Sequence, residues 1–310
     1  MAQSSITPLL RIGTRGSPLA LAQAEQVRAR LAAAHDLASA AIDVCVIRTS
    51  GDAIQDRPLA EVGGKGLFTK EIEQALFENK VDLAVHSAKD METVLPPDLV
   101  VTAFLEREDV RDAFISRRAT SLSDLPRGAI VGTASLRRQA IVRRLRPDLQ
   151  VVSLRGNVET RLRRLDAGEV DATLLALAGL KRLGLTEAAS SVFSVDEFLP
   201  AVGQGAIAIE TRADDARTRT LVAAINDADT MAALTAERAF LAALDGSCKT
   251  PIAGHAKIAG GALALRGLVV KPDGSAAHET SRSGLVGDAA ALGQDAGAEL
   301  KQRGGPGFFG

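Results

Sequence analysis

The sequence contains no tryptophan and no tyrosine, and only nine phenylalanines in 310 residues. Proteins that bind single-stranded nucleic acid usually stack the bases on aromatic side chains, so this scarcity argues against that class of protein. A formal net charge of −1 argues in the same direction, because general nucleic-acid binders are strongly basic. We therefore expect no nucleic-acid partner.

Cysteine is also scarce, with Cys45 and Cys248 as the two examples. This argues against a disulfide framework and against a metal site of the Cys-x-x-Cys kind, and no His/Cys cluster indicates a metal. It fits a reducing compartment. The N-terminus has no apolar run of signal-peptide length, and no stretch reaches transmembrane length. We therefore expect a cytoplasmic protein with no bound metal and no membrane partner.

One short apolar run leads directly into four polar residues. Val81–Val85 predicts a buried strand of an α/β sheet. The polar residues that follow it are His86, Ser87, Lys89 and Asp90. Because ligands in open α/β sheets bind beyond the carboxyl ends of strands, this stretch predicts one edge of a ligand site. A solvated turn would give the same pattern, and the segment alone does not decide between the two.

The chain repeats one pattern in two places, and its length already favours two or three domains. Gly13–Ala24 and Gly132–Ala140 both predict a strand end, a turn and a capped helix. Lys80–Val85 and Glu169–Leu174 both predict a later central strand. The repeat predicts two similar α/β lobes facing each other across a cleft, with a third small domain after about Ala228.

Helix caps and one charged segment complete the predicted layout. Ser17, Ser135 or Thr133, and Asn157 are the predicted N-caps of three helices, because their side-chain oxygens can accept hydrogen bonds from the first turn. The charged run Glu106–Asp112 is predicted to be a crossing segment between the lobes.

Arginine is concentrated in one window. Between Val131 and Leu165 there are nine arginines but only two acidic residues. Five of these arginines lie deep in helices or near their ends, and we expect them to be exposed to solvent: Arg143, Arg144, Arg146, Arg163 and Arg164.

Arg137 and Arg138 stand apart within this window, because they lie in the first turn of a predicted helix. A cation there is disfavoured by about 0.3–1 kcal/mol. Two guanidiniums at this position make sense if an anion joins them. Arg155 and Arg15 occupy comparable turns. The pattern predicts a cleft that binds a polyanionic ligand with carboxylates or phosphates.

Cys248 lies in a Gly-Ser-Cys-Lys turn just after a predicted helix. A neighbouring cation lowers the pKa of a thiol and favours thiolate chemistry. A small buried hydrophobic residue is the alternative, and the residues alone leave both interpretations open.

Six ordered motifs together resemble the porphobilinogen deaminase (hydroxymethylbilane synthase) family. The resemblance runs from about Arg11 to the Cys248 turn and, more weakly, beyond it. The motifs are Val62–Phe68, His86–Asp90, Gly132–Gln139, Leu154–Asn157, Ala178–Gly184 and Leu199–Gly205.

The resemblance implies a transferase of porphyrin (haem) biosynthesis. Such an enzyme links four porphobilinogen units head to tail, with release of ammonia at each addition, into the linear tetrapyrrole hydroxymethylbilane. It uses a dipyrromethane cofactor made from its own substrate and held by a thioether to one cysteine, which Cys248 matches. Asp90 matches the carboxylate that contacts the pyrrole nitrogens and stabilises an azafulvenium cation, with Lys89 and Arg15 as further catalytic residues.

The resemblance also implies the other site residues. Positions that match cofactor-binding residues, in addition to Asp90 and Cys248, are Ser17, Lys65, Ser87, Thr133, Ser135, Arg137, Arg138, Arg155, Gly156, Gln204 and Gly205. Positions that match substrate-binding residues are Arg15, Phe68, Arg155, Arg161 and Arg182.

The fold implied is α/β, with two periplasmic-binding-protein-like lobes around a cleft and a small α/β C-terminal domain. Lobe 1 would span 7–105 with 206–225 returning to it, lobe 2 would span 106–205, and the domain with the cofactor cysteine would span 226–310. The resemblance further implies a monomer.

The sequence departs from the family pattern at four positions, none of which removes a chemical group from the implied mechanism. Ala88 stands where Met is common, Glu92 where Pro is common, Ser247 where Gly precedes the cysteine, and Glu61 where Lys is frequent. We expect no cofactor contact from Glu61.

Two other functions are compatible with parts of this pattern. A non-catalytic two-lobed binding protein for a carboxylated ligand would share the cleft, but the missing signal peptide and the Cys248 turn argue against it. An RNA-binding module built on the arginine-rich lobe would need the aromatic residues and the positive charge that this chain lacks.

Overall fold

A computed structural model describes residues 9–53, 69–246 and 250–309. Within these ranges the strands are β1 (Leu10–Thr14), β2 (Ile42–Val46), β3 (Leu83–Ser87), β4 (Leu99–Phe104), β5 (Asp112–Ser116), β6 (Ile130–Gly132), β7 (Gln150–Val152), β8 (Ala172–Ala176), β9 (Ser191–Val192), β10 (Ile207–Arg212), β11 (Ile252–Ala259), β12 (Ala262–Val270) and β13 (Ala277–Leu285). The helices are α1 (Pro18–Ala34), α2 (Ser50–Ala53), α3 (Lys70–Phe77), α4 (Leu136–Leu145), α5 (Val158–Asp166), α6 (Leu177–Arg182), α7 (Ala216–Ala223), α8 (Ala228–Ala243) and α9 (Ala289–Gly304). No helix in these ranges is both long and apolar enough to cross a membrane.

The chain divides into two compact units. Among the described residues, the first unit comprises 9–53, 69–107 and 206–231, and the second unit comprises 108–205, 232–246 and 250–309. Each unit is built around mixed α/β layers, as the sequence predicts.

A five-stranded sheet forms the centre of the first unit, in the order β2-β1-β3-β10-β4. β1 pairs in parallel with β2 and β3, whereas β10 runs antiparallel between β3 and β4. Apolar strand residues such as Leu10, Ile12 and Leu83 are fully buried against Val27 and Leu31 of α1. Burial of each such side chain stabilises the folded state by about 1.5–3 kcal/mol. This layer therefore fixes the positions of the strands whose ends bear the polar residues.

The second unit contains a sheet of the same design, in the order β7-β6-β8-β5-β9. β6 pairs in parallel with β7 and β8, and β5 runs antiparallel between β8 and β9. A Cβ at Gly13 would lie 3.0 Å from Val81, and a Cβ at Gly132 would lie 2.8 Å from Val170, so the same close approach recurs. The internal repeat predicted from the sequence is therefore confirmed as two sheets of equal topology.

A smaller antiparallel sheet, β11-β12-β13, lies in the C-terminal part of the second unit together with α8 and α9. Phe240 of α8 is fully buried, as are Leu263 and Leu265 of β12. A Cβ at Gly267 would lie 2.5 Å from the Phe240 ring, so the strand passes directly over the aromatic side chain. The predicted third α/β element of the fold is confirmed.

The predicted caps are confirmed for three helices. The Ser17 hydroxyl accepts from Ala20 N at 3.3 Å, and the Asn157 side chain accepts from Thr160 N at 2.8 Å. Ser135, rather than Thr133, caps α4 by accepting from Arg138 N at 3.4 Å. Each cap turns the chain from a strand end into a helix, which is the geometry that a ligand site at the sheet edge needs.

The structure shifts the predicted bounds of two segments. β3 runs from Leu83 to Ser87 instead of Val81 to Val85, so His86 lies inside the strand, because pairing with β1 and β10 sets its register. The predicted crossing segment ends in a strand that the sequence did not reveal, since Asp112 begins β5. In both cases a polar residue that was predicted to lie outside a strand, His86 or Asp112, lies in a strand and is buried.

Helices α8 and α9 touch backbone to backbone through two glycines of α9. A Cβ at Gly293 would lie 2.1 Å from the Ala236 carbonyl oxygen, and a Cβ at Gly297 would lie 2.6 Å from the Phe240 carbonyl oxygen. The glycines are four residues apart and therefore lie on one face of α9. Because glycine has no side chain, the backbone of α9 can pack directly against the backbone of α8 at these two positions.

We expect Gly293→Ala to destabilise the protein, although alanine favours helices over glycine by about 1 kcal/mol. The added methyl group meets backbone atoms that cannot rotate away, and such overpacking costs about 1–3 kcal/mol. Urea unfolding followed by circular dichroism should show a net loss of about 1 kcal/mol or more in the free energy of unfolding.

Gly287→Ala is the matched control, because a Cβ at Gly287 would have no atom within 4 Å. Its free energy of unfolding should stay within about 0.5 kcal/mol of the unmodified protein. A gain in stability for Gly293→Ala would contradict the close approach of the two helices.

Candidate active site

Two strand ends meet at one edge of the sheet in the first unit. β1 and β3 are adjacent and parallel, with Gly13 opposite Ala84, so their carboxyl ends point the same way. Each strand is followed by polar side chains that remain partly accessible. They are Arg15 and Ser17 after β1, and Ser87, Lys89 and Asp90 at the end of β3 and in the short 3₁₀ turn Ala88–Asp90. The structure thus brings five predicted site residues of this unit to one edge.

Gln23 fixes the serine at the end of β3. Its side chain is 3% exposed in α1, and its Nε2 donates to the Ser87 hydroxyl at 2.9 Å. The Ser87 hydroxyl also lies 3.2 Å from Gln23 Oε1. Sequence reasoning missed Gln23, although an amide on the buried face of an alanine-rich helix was an available signal.

A buried histidine–carboxylate pair supports the same strand. His86 Nε2 lies 3.0 Å from Glu210 Oε2 of β10, and Glu210 is 0% exposed. Burial raises the pKa of Glu73, and the charge of Glu210 adds to the rise. His86 is therefore buried, with its ring paired to Glu210, and supports the strand from inside the unit.

The corresponding edge of the second unit also gathers strand ends. β6 is parallel to β7 and β8, with Gly132 opposite Val152 and Thr173. Ser135 and Arg155 are half-buried there, whereas Thr133 is buried at 1% exposure. Arg161 Nε donates to the Gly156 carbonyl at 2.8 Å, which holds the first turn of α5 against the turn that precedes it.

Asp112 lies at the centre of a buried cluster in this unit. Its Oδ2 accepts from Arg137 Nη2 at 2.7 Å. Its Oδ1 accepts from Arg138 Nη2 at 2.6 Å, from Arg138 Nε at 3.0 Å and from Gln204 Nε2 at 3.0 Å. Asp112 and Gln204 are 0% exposed, and the two arginines are 4% and 5% exposed. One carboxylate thus ties β5, α4 and the turn around Gln204 together.

The charge balance of this cluster keeps Asp112 ionised. Burial alone would raise the pKa of the carboxyl group, but the charges and hydrogen bonds of Arg137 and Arg138 outweigh burial and lower the pKa to about 2. Arg137 also donates to the Leu199 carbonyl, and Arg138 to the Leu174 carbonyl. Arg137 Nε, however, has no hydrogen-bond partner among the described residues.

The expectation that Arg137 and Arg138 await an anion from outside the chain needs correction. The anion beside them is Asp112, which enters from β5 and lies outside the arginine-rich window. Local sequence could not reveal it, because the pairing of β5 with β8 places Asp112 opposite Ala176. A ligand carboxylate that approached Arg137 and Arg138 would meet two guanidiniums whose charge is already partly neutralised by Asp112.

The prediction that the remaining helix arginines are exposed was wrong for Arg146. Its guanidinium donates to the carbonyls of Leu122, Ser123 and Leu125 and pairs with Asp148 at 2.7 Å. Its side chain is only 20% exposed. Arg146 therefore closes the end of α4 and is part of the packing of the unit.

The glycine turn after Leu199 brings two further predicted residues together. Gly205 accepts from Arg182 Nη2 of α6 at 2.8 Å, and both residues are at least half-buried. Burial lowers the pKa of Arg182, while the charge of Glu108 opposes this. Gln204, between Gly203 and Gly205, donates to Asp112, so the turn contacts one cation, Arg182, and one carboxylate, Asp112.

Three predicted site residues, Lys65, Phe68 and Cys248, lie outside the described residues. Within the described ranges, no group of three or more His, Cys, Asp or Glu side chains is arranged to hold a metal ion.

We expect Asp112→Asn to lower the free energy of unfolding by about 3–5 kcal/mol, because two buried guanidiniums lose their counter-charge. The control is Asp166→Asn, whose partner Arg117 is half-exposed and whose ion pair is worth about 0–1 kcal/mol. Chemical denaturation of both variants measures the difference, and equal losses would contradict the structural role of Asp112.

The dependence of the free energy of unfolding on pH is a second test of the contact between Asp112 and the two arginines. The folded pKa of about 2 lies below the ordinary value of 3.8. The stabilisation by Asp112 is therefore complete above about pH 4 and is lost as the pH falls from about 4 to about 2. The Asp112→Asn variant should lack this part of the acid-induced loss.

Comparison with known proteins identifies the family. Residues 10–220 match the model "Porphobilinogen deaminase, dipyromethane cofactor binding domain". Residues 231–302 match "Porphobilinogen deaminase, C-terminal domain".

Two curated relatives are similar over the whole chain. The porphobilinogen deaminase of Nitrobacter hamburgensis is 64% identical over 310 residues, which are 100% of this chain and 98% of that protein. The porphobilinogen deaminase of Nitrobacter winogradskyi is 63% identical with the same coverage.

Among solved structures, the methionine-binding protein MetQ is 14% identical with a TM-score of 0.43, covering 69% of this chain and 88% of that one. This likeness is distant, and the fold given above rests on strand pairing alone. The two family models and the full-length relatives lead to one conclusion: the chain belongs to the porphobilinogen deaminase family.

Proposed function

We propose that the chain is a hydroxymethylbilane synthase, which joins four porphobilinogen units head to tail. In each addition the bond between the aminomethyl carbon and nitrogen breaks and ammonia leaves. A carbon–carbon bond forms to the free α-carbon of the preceding pyrrole, and that carbon then loses its proton. After the last addition, water forms a carbon–oxygen bond at the methylene carbon next to the cofactor, the carbon–carbon bond to the cofactor breaks, and a proton returns to the α-carbon of the cofactor. Full-length similarity to porphobilinogen deaminases, including the match to a cofactor-binding domain, is the observation that supports this proposal.

The described residues fit a dipyrromethane cofactor with several carboxylates. Partly accessible cations and hydroxyls lie at the strand ends of each unit, and guanidiniums form paired hydrogen bonds with carboxylates. Arg137 Nε is a buried donor that has no partner among the described residues. A carboxylate of the cofactor could accept a hydrogen bond from it. When bound, the cofactor supplies the pyrrole carbon to which the first substrate is joined.

We assign cofactor contacts to the predicted set of residues. In the first unit these are Ser17, Ser87 and Asp90, and in the second unit they are Thr133, Ser135, Arg137, Arg138, Arg155, Gly156, Gln204 and Gly205. Lys65 and the thioether at Cys248 complete the set and lie outside the described residues. Five of these residues are buried and would act from beneath the more accessible ones: Thr133, Arg137, Arg138, Gln204 and Gly205.

Asp90 is proposed to act on the reacting carbon. It lies in the turn directly after β3 and is only partly exposed. A fixed carboxylate stabilises the positive charge that develops as the amine leaves, and it can hold the pyrrole N–H. Lys89 and Arg15 at the same edge would orient the substrate carboxylates and balance the charge of Asp90.

Substrate binding is proposed for Arg15, Arg155, Arg161 and Arg182, together with Phe68. The hydrogen bonds from Arg161 to Gly156 and from Arg182 to Gly205 restrict the positions of both side chains. Restricted guanidiniums lose less entropy when they bind a carboxylate. We further propose a cytoplasmic monomer that acts on porphobilinogen without nucleic-acid or membrane partners.

The covalent attachment is tested by intact-mass measurement of freshly purified protein. We expect an adduct of dipyrromethane size on the unmodified chain and its loss in Cys248→Ser. Cys45→Ser is the matched control, because Cys45 lies in β2, and it should retain the adduct. An unmodified mass in active protein would refute the attachment.

The role of Asp90 is tested with Asp90→Asn, which keeps the shape of the side chain and removes its charge. We expect kcat to fall by about 10²–10³, as when a group that stabilises transition-state charge is removed, while the mass adduct remains. Asp98→Asn, at an exposed position in the same segment, should leave kcat within about twofold. Bilane formation at the unmodified rate by Asp90→Asn would refute the assignment.

A further inference from the structure

Glu237 is a fully buried carboxylate that bonds two separate backbone segments. It lies in α8 and is 0% exposed. Its Oε2 accepts from Gly203 N at 2.7 Å, and its Oε1 accepts from Ala256 N of β11 at 2.7 Å. Both bonds are short, and hydrogen bonds to a carboxylate are roughly twice as strong as those between neutral groups.

The segment that Glu237 holds is the turn Val202–Gly205. Gly203 and Gly205 have φ values of +73° and +90°, which disfavour any residue with a side chain. Gln204 between them reaches Asp112 and also donates to the Val110 carbonyl at 2.8 Å. The Gly205 carbonyl accepts from Arg182. A displacement of this turn would therefore move its contacts with both Asp112 and Arg182.

The helix that bears Glu237 is itself held in place. Gly293 and Gly297 of α9 allow backbone contact on one face of α8. In the sequence, α8 ends at Ala243, and Cys248 follows shortly afterwards. One helix thus holds the turn through Glu237 and leads into the proposed point of cofactor attachment.

We propose that Glu237 is a positioning residue, which sets where Gln204 and Arg182 lie relative to α8 and hence to the cofactor attached beyond it. Glu237 does not touch substrate in this assignment. It acts through the backbone of Gly203. The inference rests on the function proposed above and assigns the turn to the binding of ligand carboxylates.

Glu237→Gln tests this assignment with almost no change in shape. A carboxylate accepts hydrogen bonds at both oxygens, whereas glutamine offers one acceptor and places an NH₂ group against the other N–H donor. One of the two bonds must break. Hydrogen–deuterium exchange of the peptide around Gln204 should become at least about tenfold faster, since its amides lose protection when the turn opens locally.

Steady-state kinetics gives the second readout. The turn is proposed to position groups that bind the substrate carboxylates equally well in the ground state and in the transition state. In Glu237→Gln, KM for porphobilinogen should therefore rise at least about fivefold, while kcat should change less than about twofold. Asp90→Asn should show the opposite split. A residue with only a structural role would lower stability and leave the KM of the folded enzyme unchanged.

Leu31→Ala serves as the control for general destabilisation, because Leu31 is fully buried in α1 of the first unit, whereas the turn Val202–Gly205 belongs to the second unit. It should lower the unfolding midpoint without altering KM or exchange around Gln204. If Glu237→Gln does not fold, Glu237→Asp, which keeps the charge but is one methylene shorter, should show the same increase in KM and in exchange.

A folded Glu237 variant with unchanged KM, or with unchanged exchange around Gln204, would overturn the proposal. The two readouts also separate it from the proposed function. Failure of the unmodified chain to form bilane would refute the function, whereas the exchange measurement reports on the turn whether or not bilane is formed.

Discussion

The buried contact of Asp112 with Arg137 and Arg138 is the interaction on which the second unit depends. Two adjacent guanidiniums in the first turn of α4 repel each other and oppose the helix dipole, so they could not be buried without a carboxylate. Asp112 supplies that carboxylate from β5 and takes a fourth hydrogen bond from Gln204. Two cations and one anion leave a net positive charge in the cluster, and the proposal of a cofactor contact at Arg137 and Arg138 uses this charge.

The first unit prepares its edge by different means. Ser87 is held by the neutral amide of Gln23, and the histidine–carboxylate pair of His86 and Glu210 lies beneath the strand. Neither the Gln23–Ser87 contact nor the His86–Glu210 contact places an ion pair at the polar turn itself. The two sheets share a topology, but one edge is organised around buried charge and the other around a neutral amide, in keeping with the different roles proposed for Asp90 and for the arginines.

Local signals in the sequence predicted much of this arrangement. Ser17, Ser135 and Asn157 cap their helices because capping depends on neighbouring residues only, and the repeated glycines mark equivalent strand ends. Polar residues paired across long stretches of chain escaped prediction. Asp112 stood at the end of a charged run that was predicted to be a crossing segment, and Glu210 lies 124 residues from His86. Only the pairing of strands reveals which charges become buried.

The position of β10 has a consequence for the order in which the protein assembles. β10 lies between β3 and β4, yet the whole second sheet separates it from β4 in the sequence. A ribosome releases all five strands of that second sheet, β5 to β9, before it has made β10. Until Arg212 emerges, β3 and β4 each have an unpaired edge, His86 lacks Glu210, and the nascent chain is open to strand addition by other chains. The sheet of the first unit, whose strands are synthesised first, is therefore completed only after all strands of the second sheet have been made.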